Sequence, residues 1–379
     1  MQNILITYSA FADEGFQNMV YCLEEKSKDF SDIEKLEEAV MVIPYDYKNI
    51  IEPKCFQSRT KIEYPVILPI TRKVQIHNLS ELKKLSPLEN ALNTGELFVK
   101  PTKEFISYDD YERNFAKIQW YLRRGDIYEM NYCIPFVYKN IELNPLEVFI
   151  EIAEKMQSSF MALWKYQNFF ILSFSPERFL KKEQNKLYTE PIKGTAPRGN
   201  NLQEDIRNKQ QLQHSLKERA ENAMIVDVCR NDLSRLAQKG SVQVERLFYT
   251  HSYGTVHQMM SKISCQLKPY KTFKEIIQAT FPMASMTGAP KIRAMQIADE
   301  LEILPREYYS GCLGIYSNGD FDLSVLIRSI FYDAEKKELK VWAGSAITIY
   351  TNAYDEYQEC LLKVEKILHC IENYISTKI

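Results

Sequence analysis

The sequence predicts a mixed α+β fold built on large, mainly antiparallel sheets. Strand-like apolar runs dominate residues 160–188, and they return at 311–317, 322–332 and 338–347. Helical patterns stand between these groups and do not alternate strictly with single strands, as they would around a parallel sheet. The length of 379 residues is ample for a sizeable core.

The composition argues against several classes of protein. The 48 basic and 50 acidic residues nearly cancel, so bulk nucleic-acid binding is not expected. No apolar run is long enough to span a membrane, and the first residues do not resemble a secretory signal. The eight cysteines include no C-x-x-C pair, which predicts reduced, mostly buried thiols and a cytoplasmic protein, and the dispersed histidines argue against zinc.

The first 106 residues are interpreted as a strand-rich subdomain packed on the core formed by residues 107–379. They contain strand-like runs at 40–44 and 64–70 and a polar connection at about 78–105. Ser107 or Asp109 is predicted to cap a helix that ends at Gly125.

The remaining elements follow in chain order. A strand is predicted at 127–138, and Pro145 opens a helix that runs to about residue 156. Later come a long helical region at 204–238, strands from 240 to 267, helices at 271–280 and 289–302, the strands after 311, and a final helix from about 352 to 374.

A lysine in the turn at residues 191–195 (PIKGT) is the first candidate functional residue. Lys193 stands beside Gly194, where its amine is held close to the backbone. Loss of hydration there is expected to lower its pKa, as a nucleophilic amine requires. A solvated surface lysine is the ordinary alternative.

Three carboxylate clusters are candidates for acid–base or metal chemistry. Glu177 follows an apolar strand and is a candidate general acid with a raised pKa, with a surface turn as the alternative. Glu218 and Glu221 share a helix face that approaches the core, where a metal ion is one suitable partner and solvated ion pairs are the alternative. The third cluster lies on the last helix.

That helix carries Glu356, Glu359 and Lys363 on one face, a set that suits Mg²⁺ and a substrate carboxylate. Simple salt bridging is the usual explanation of such spacing.

The small-residue loop at 281–291 opens a helix whose free N–H groups would suit an anion. Arg328 interrupts an apolar strand and is either a carboxylate-binding fork or half of a buried ion pair.

Together these segments resemble the chorismate-utilising enzymes. The matching motifs are SPERF at 175–179, PIKGT at 191–195, ExxENAMIVDxxRNDL at 218–233, FPxxSxTGAPK at 281–291, SxxIR at 324–328 and ExxExxxK at 356–363. Their collinear order over about residues 107–374 is specific, although each motif alone is weak. The resemblance implies two stacked sheets flanked by helices, a central active-site cleft, and Mg²⁺ bound to the chorismate carboxylate.

The resemblance also assigns roles to single residues. Glu221 and Glu359 match magnesium ligands, and Glu356 matches a carboxylate that helps through water. Glu177 matches the acid that protonates the departing C4 hydroxyl. The resemblance places further contacts with substrate or metal-bound water at Thr195, His257, Thr287, Tyr309, Arg328, Gly344 and Lys363.

Lys193 distinguishes branches of this family. Anthranilate, salicylate and isochorismate synthases have alanine there, whereas lysine resembles the aminodeoxychorismate synthases. The implied reaction begins with attack of the lysine amine on C2 of chorismate, and ammonia from a separate glutamine amidotransferase subunit then adds at C4. The alternatives are an anthranilate synthase and a non-catalytic chorismate-binding relative.

Some positions depart from the family pattern. Glu129 stands where water-adding members have lysine and amine-adding members have glutamine, and one hypothesis is that it accepts a hydrogen bond from incoming ammonium. Ala284 and Ala346 replace glycines. No tryptophan-binding motif of the LLES type is found, so feedback inhibition by tryptophan is not expected.

Overall fold

A computed structural model describes residues 3–11, 15–56, 64–84, 101–254 and 256–378. Within these ranges the chain forms 18 strands and eight α-helices. The strands are β1 Asn3–Tyr8, β2 Met19–Leu23, β3 Glu38–Ile43, β4 Val66–Gln75, β5 Thr102–Phe105, β6 Glu129–Lys139, β7 Phe160–Tyr166, β8 Phe169–Ser175, β9 Arg178–Glu183, β10 Lys186–Thr189, β11 Ile192–Pro197, β12 Gln243–Tyr253, β13 Val256–Gln266, β14 Gly288–Ala289, β15 Cys312–Ser317, β16 Asp320–Val325, β17 Ser329–Asp333 and β18 Glu338–Thr348. The helices are α1 Lys48–Ile51, α2 Tyr108–Arg124, α3 Pro145–Met156, α4 Leu202–His214, α5 Leu216–Ser234, α6 Phe273–Thr280, α7 Lys291–Leu301 and α8 Ala353–Lys378.

Every pairing between these strands is antiparallel, and the strands form two sheets. The first has the order β4-β2-β1-β7-β8-β17-β18-β6, with β5 and β14 both on the far side of β6. The second has the order β4-β3-β15-β16-β9-β10-β13, and β11 and β12 also pair with β13. Strand β4 joins the sheets, because its residues 66–69 pair with β3 and its later residues pair with β2. The predicted α+β class with large antiparallel sheets is confirmed.

Two apolar cores lie on opposite faces of the first sheet. Successive side chains of a strand point to opposite faces, so Leu5 joins one core whereas Ile4 and Ile6 join the other. The first core links the two sheets and takes in α5 and α6. The second core packs the first sheet against α2, α3, α7 and α8. This arrangement places α5 and α8 where their polar faces can meet at the edge of the sheets.

The N-terminal strands belong to the same sheets as the rest of the chain. β1 pairs with β7, and β3 pairs with β15, so backbone ladders cross the predicted boundary near residue 106. The strands predicted at 40–44 and 64–70 correspond to β3 and β4. The predicted connection at 78–105 lies partly outside the described residues.

Local sequence signals placed several helix ends correctly. Ser107 caps α2 by accepting a hydrogen bond from the Asp110 N–H, and Gly125 ends it with a φ of 77°. The helical region predicted over 204–238 consists of two helices, because Ser215 adopts an extended conformation between α4 and α5. Its side chain caps α5, and this local hydrogen bond competes with continued helix.

The strand predicted at 322–332 is two strands, β16 and β17. Arg328 separates them in a left-handed conformation with a φ of 52°.

The eight cysteines are free thiols and seven of them are buried, as predicted. Within the described ranges, none of the helices combines the length and the apolar character that crossing a membrane requires.

Candidate active site

The lysine turn forms an irregular part of β11. The pairing of β11 with β13 shifts register between Ile192 and Thr195, and Gly194 has a φ of 90°. Lys193 is only 8% exposed, and its Nζ lies 2.6 Å from Oε1 of Glu129 on β6. Strands from both sheets therefore meet at this ion pair, and the alternative of a solvated surface lysine is wrong.

Glycine is needed at position 194 because the backbone there is left-handed and a side chain would clash. A Cβ there would lie 2.7 Å from a carboxylate oxygen of Glu218 on α5. We expect Gly194→Ala to lower the melting temperature, since an L-residue in the left-handed region costs roughly 1–2 kcal/mol, and to displace Lys193.

The matched control for this change is Gly319→Ala. Gly319 has a φ of 88° with open space around its Cβ position, so both variants carry the same backbone strain. Turnover of the Gly194 variant should fall well below that of the Gly319 variant when each is assayed below its melting temperature. Equal turnover in the two variants would contradict a positioning role for the turn.

The charge state of Lys193 differs from the sequence-based expectation. Burial by itself lowers the pKa of this amine, but the carboxylates of Glu129 and Glu221 outweigh burial and raise the pKa above its ordinary value. The prediction of a lowered pKa is therefore wrong for the free protein, because three carboxylates that are distant in sequence surround the lysine (Glu177 is the third). Lys193 is an ammonium until its proton is removed.

Glu177 is buried next to the lysine turn. Its Oε1 accepts a hydrogen bond of 3.0 Å from the Ile192 N–H, and it is 3% exposed. Burial raises its pKa to about 7, and the nearby Lys193 ammonium opposes that shift. A carboxyl group with this pKa holds a proton near neutral pH, which suits a general acid. The alternative of a surface turn is wrong.

The acidic faces of α5 and α8 meet around the side chain of Lys217. Its Nζ lies 3.9 Å from Oε1 of Glu221 and 3.4 Å from Oε1 of Glu356. Burial raises the pKa of Glu221 to about 7, and burial together with Glu359 raises that of Glu356. The fold thus brings together carboxylates from two helices that are far apart in sequence.

Glu359 and Lys363 form an ion pair of 2.6 Å on α8. Burial opposes ionisation of Glu359, but Lys363 outweighs it and lowers the pKa. The Lys363 Nζ also donates to the Gly344 carbonyl oxygen at 2.7 Å. A Cβ at Gly344 would lie 2.3 Å from Oδ1 of Asn131, so a larger residue at this strand position would require that side chain to move.

Arg328 points its guanidinium at the same end of α8. It donates to the carbonyl oxygen of Lys363, and no carboxylate of the described residues lies within ion-pair distance of it. The alternative of a buried structural ion pair is therefore wrong. Tyr309 interacts electrostatically with Arg328 and stacks on Trp342 with ring centres 5.7 Å apart. A buried cation without an anionic partner suits a substrate carboxylate.

Two of the predicted contact residues already bond to groups of the protein, and a third is exposed. His257 is fully buried, and its ring nitrogens contact Ser252 Oγ at 2.8 Å and Asp205 Oδ1 at 3.0 Å. The Thr287 hydroxyl donates to a backbone carbonyl of its own loop, at Ala284. Thr195 is exposed on β11. Contact of these three residues with substrate stays a prediction.

Two further residues near the site, Lys217 and Asn131, were not predicted from the sequence. Lys217 precedes Glu221 by four residues, a helix spacing that would have signalled the contact. Asn131 lies two residues after Glu129 on β6 and donates to the Ser285 carbonyl oxygen at 2.9 Å. No local pattern marks that interaction, because it joins segments 154 residues apart.

Comparison with known proteins shows which family the chain belongs to. Residues 25–369 match the family described as chorismate binding enzymes. The chain belongs to this family. Among the curated chorismate-binding relatives, it is 39% identical over 265 residues to aminodeoxychorismate synthase component 1 of Salmonella typhimurium, covering 70% of this chain and 58% of the relative. It is 36% identical over 293 residues to the Escherichia coli protein of the same name, covering 77% and 63%. The chain thus spans less than two thirds of the length of these relatives.

Solved structures show the same fold at low sequence identity. Anthranilate synthase component I of Streptococcus pneumoniae superposes with a TM-score of 0.72 at 22% identity, over 96% of this chain and 92% of the other. The menaquinone-specific isochorismate synthase of Escherichia coli gives a TM-score of 0.75 at 13% identity, over 98% and 88%. The implied architecture of this chorismate-binding family is therefore present.

Proposed function

We propose that this chain is the chorismate-converting component of an aminodeoxychorismate synthase. The observation that carries the proposal is the buried amine of Lys193 near Glu177, a carboxyl group whose pKa is about 7. A nucleophile and a proton donor are the two groups that replacement of the poor leaving group at C4 requires. The names of the relatives from Salmonella and Escherichia coli support the same reaction.

In the proposed reaction the Lys193 amine attacks C2 of chorismate. The ring double bonds shift, and the C4–O bond breaks as Glu177 gives its proton to the leaving oxygen. Ammonia then attacks C4, the C2–N bond to the lysine breaks, and 4-amino-4-deoxychorismate is released. Arg328, which has no carboxylate partner in the described part of the chain, would hold a carboxylate of the substrate.

The carboxylates of α5 and α8 fit a magnesium ion. Oε1 of Glu221 is buried without a hydrogen-bond partner, which is costly unless a ligand satisfies it. The Lys217 ammonium already occupies the space between Glu221 and Glu356, as a cation of the chain itself. No group of three potential ligand side chains is close enough to hold a metal unaided in the described residues, so water and substrate oxygens would complete the shell. Bound Mg²⁺ would neutralise the substrate carboxylate, with Glu221 and Glu359 as ligands and Glu356 acting through water.

Lys217→Gln is expected to tighten magnesium binding several-fold. The variant removes a cation that lies within 4.0 Å of Glu221 and Glu356 in the metal-free protein, so Mg²⁺ no longer competes with it. Titration calorimetry of the metal-free protein would measure the change. Lys239→Gln, at an exposed loop position, should bind Mg²⁺ as the wild type does. Unchanged or weaker binding by the Lys217 variant would contradict the assignment of the metal site.

We infer that ammonia reaches this chain from a glutamine amidotransferase partner in the cytoplasm. The designation of the relatives as component 1 supports a second component. The free thiols fit a reducing compartment.

Incubation of the purified chain with chorismate, Mg²⁺ and ammonium tests the proposed function. Chromatography and mass spectrometry should identify 4-amino-4-deoxychorismate, which an added lyase converts to 4-aminobenzoate. Anthranilate as the product would overturn the proposal and favour the first alternative. Chorismate that raises the melting temperature without any product, even with an amidotransferase supplied, would favour a non-catalytic relative.

A further inference from the structure

Glu129 is held in a fixed position beside Lys193. It lies at the start of β6, whose ladder pairs it with Thr348 of β18 on one side and Ala289 of β14 on the other. Its side chain is 1% exposed, and its Oε1 lies 2.6 Å from the Lys193 Nζ. Its Oε2 is buried and has no hydrogen-bond partner. A buried carboxylate with one oxygen that accepts no hydrogen bond is costly for folding. Beside the proposed nucleophile, such a cost suggests a role in the reaction.

The proposed reaction requires a proton acceptor at this place. Attack on C2 needs the lone pair of a neutral amine, whereas the surrounding carboxylates keep Lys193 protonated. Transfer of the proton to the partner carboxylate neutralises both buried groups at once. A low-dielectric site disfavours a neutral pair less than two separated ions. The acceptor must lie within hydrogen-bond reach of the amine.

Only one carboxylate of the described residues meets that condition. Glu177, Glu221, Glu218 and Glu359 also act electrostatically on Lys193, but none of them is hydrogen-bonded to it. Glu177 must keep its own proton for the leaving oxygen. Glu221 is assigned to the metal.

We propose that Glu129 is the catalytic base that frees the Lys193 amine, an inference that rests on the proposed function. The proton passes from Nζ to Oε1 of Glu129, and the nitrogen lone pair then forms the bond to C2. Glu177 donates its proton as C4–O breaks, and water leaves. When ammonia bonds to C4, the C2–N electron pair returns to Nζ, which takes the proton back from Glu129. The surplus proton on the new C4 nitrogen returns to Glu177.

The test is the pH dependence of covalent adduct formation in Glu129→Gln. Each protein is mixed with saturating chorismate and Mg²⁺ without ammonium, quenched at intervals, and analysed by intact mass. In the wild type the proton moves within the pair, so the rate should not rise with pH and should fall only as Glu177 loses its proton above about pH 7. In the variant the proton must go to water. Its rate divided by the wild-type rate should therefore be at most about one tenth near neutral pH and should rise about tenfold per pH unit until Lys193 is deprotonated.

Two further variants separate chemistry from folding. Glu129→Asp keeps a carboxylate at a greater distance and should give a slower rate whose ratio to the wild-type rate stays constant with pH. Glu104→Gln removes an exposed carboxylate that pairs with Lys139 at 2.7 Å beside β6 and should behave as the wild type. A Glu129→Gln rate equal to that of the wild type at every pH would overturn the role of Glu129 alone. Absence of any adduct on the wild type would overturn the proposed lysine chemistry as well.

Discussion

Lys193→Ala is expected to reduce formation of 4-amino-4-deoxychorismate by about three orders of magnitude or more, as loss of a nucleophile does in other covalent catalysts. The variant has no group at this place that can bond to C2. Ammonium cannot rescue it, because the lysine adduct is what activates C4. Lys193→Arg should be equally inactive, since guanidinium keeps the charge but is not a nucleophile.

Folding must be separated from chemistry in this experiment. Alanine leaves Glu129 buried without its cation, and breaking a buried pair costs roughly 3–5 kcal/mol. The double variant Lys193→Ala/Glu129→Gln removes both charges and should recover most of that stability without recovering turnover. Lys186→Ala, on the neighbouring strand and half exposed in an ion pair with Glu245, should keep full activity. Substantial turnover by the double variant would contradict the nucleophile assignment.

Glu177→Gln is expected to abolish turnover while stabilising the protein at alkaline pH. Glutamine cannot give a proton to the C4 oxygen. In the wild type, burial raises the pKa of Glu177 from 4.5 to about 7, so activity should fall as pH rises through about 7 and the acid loses its proton. The variant should be inactive across the whole range.

The effect on stability follows from the same shift. Because the folded-state pKa lies above the unfolded value, the carboxylate costs stability as pH rises from 4.5 to about 7, and the cost is constant above that. The glutamine variant has no carboxylate to ionise, so its free energy of unfolding above pH 7 should exceed that of the wild type by as much as about 3 kcal/mol. Thermal melts at several pH values should show the two proteins converging toward acid pH. A melting-temperature difference that is independent of pH would contradict the burial of an ionisable acid.

Local signals predicted much of the fold. The cap at Ser107 and the glycine at 125 act within a few residues of one another, so they can be seen in the sequence. The division of the helical region at Ser215 was not predicted, because it depends on a side-chain cap that competes with continued helix. The N-terminal strands carried no chemical motif, and only their pairing with β7 and β15 shows that they complete the two sheets.

The residue types of the candidate site and the raised pKa of Glu177 could be predicted, but the charge of Lys193 could not. Motifs placed Lys193, Glu177 and Glu221 in one cleft, and the structure brings them together. The protonation of Lys193 depends on Glu129, 64 residues away. The contact of Lys217 with Glu356 joins residues 139 positions apart. Such interactions follow from strand register and helix packing, which no single motif encodes.

Peptide mapping of the protein after mixing with chorismate and Mg²⁺ tests whether Lys193 carries the covalent intermediate. Without ammonium, the peptide containing Lys193 should gain the mass of chorismate less water, and ammonium added before the quench should release the label as 4-amino-4-deoxychorismate. Product formed at the normal rate with Lys193 never labelled, or a label on another residue, would contradict this assignment.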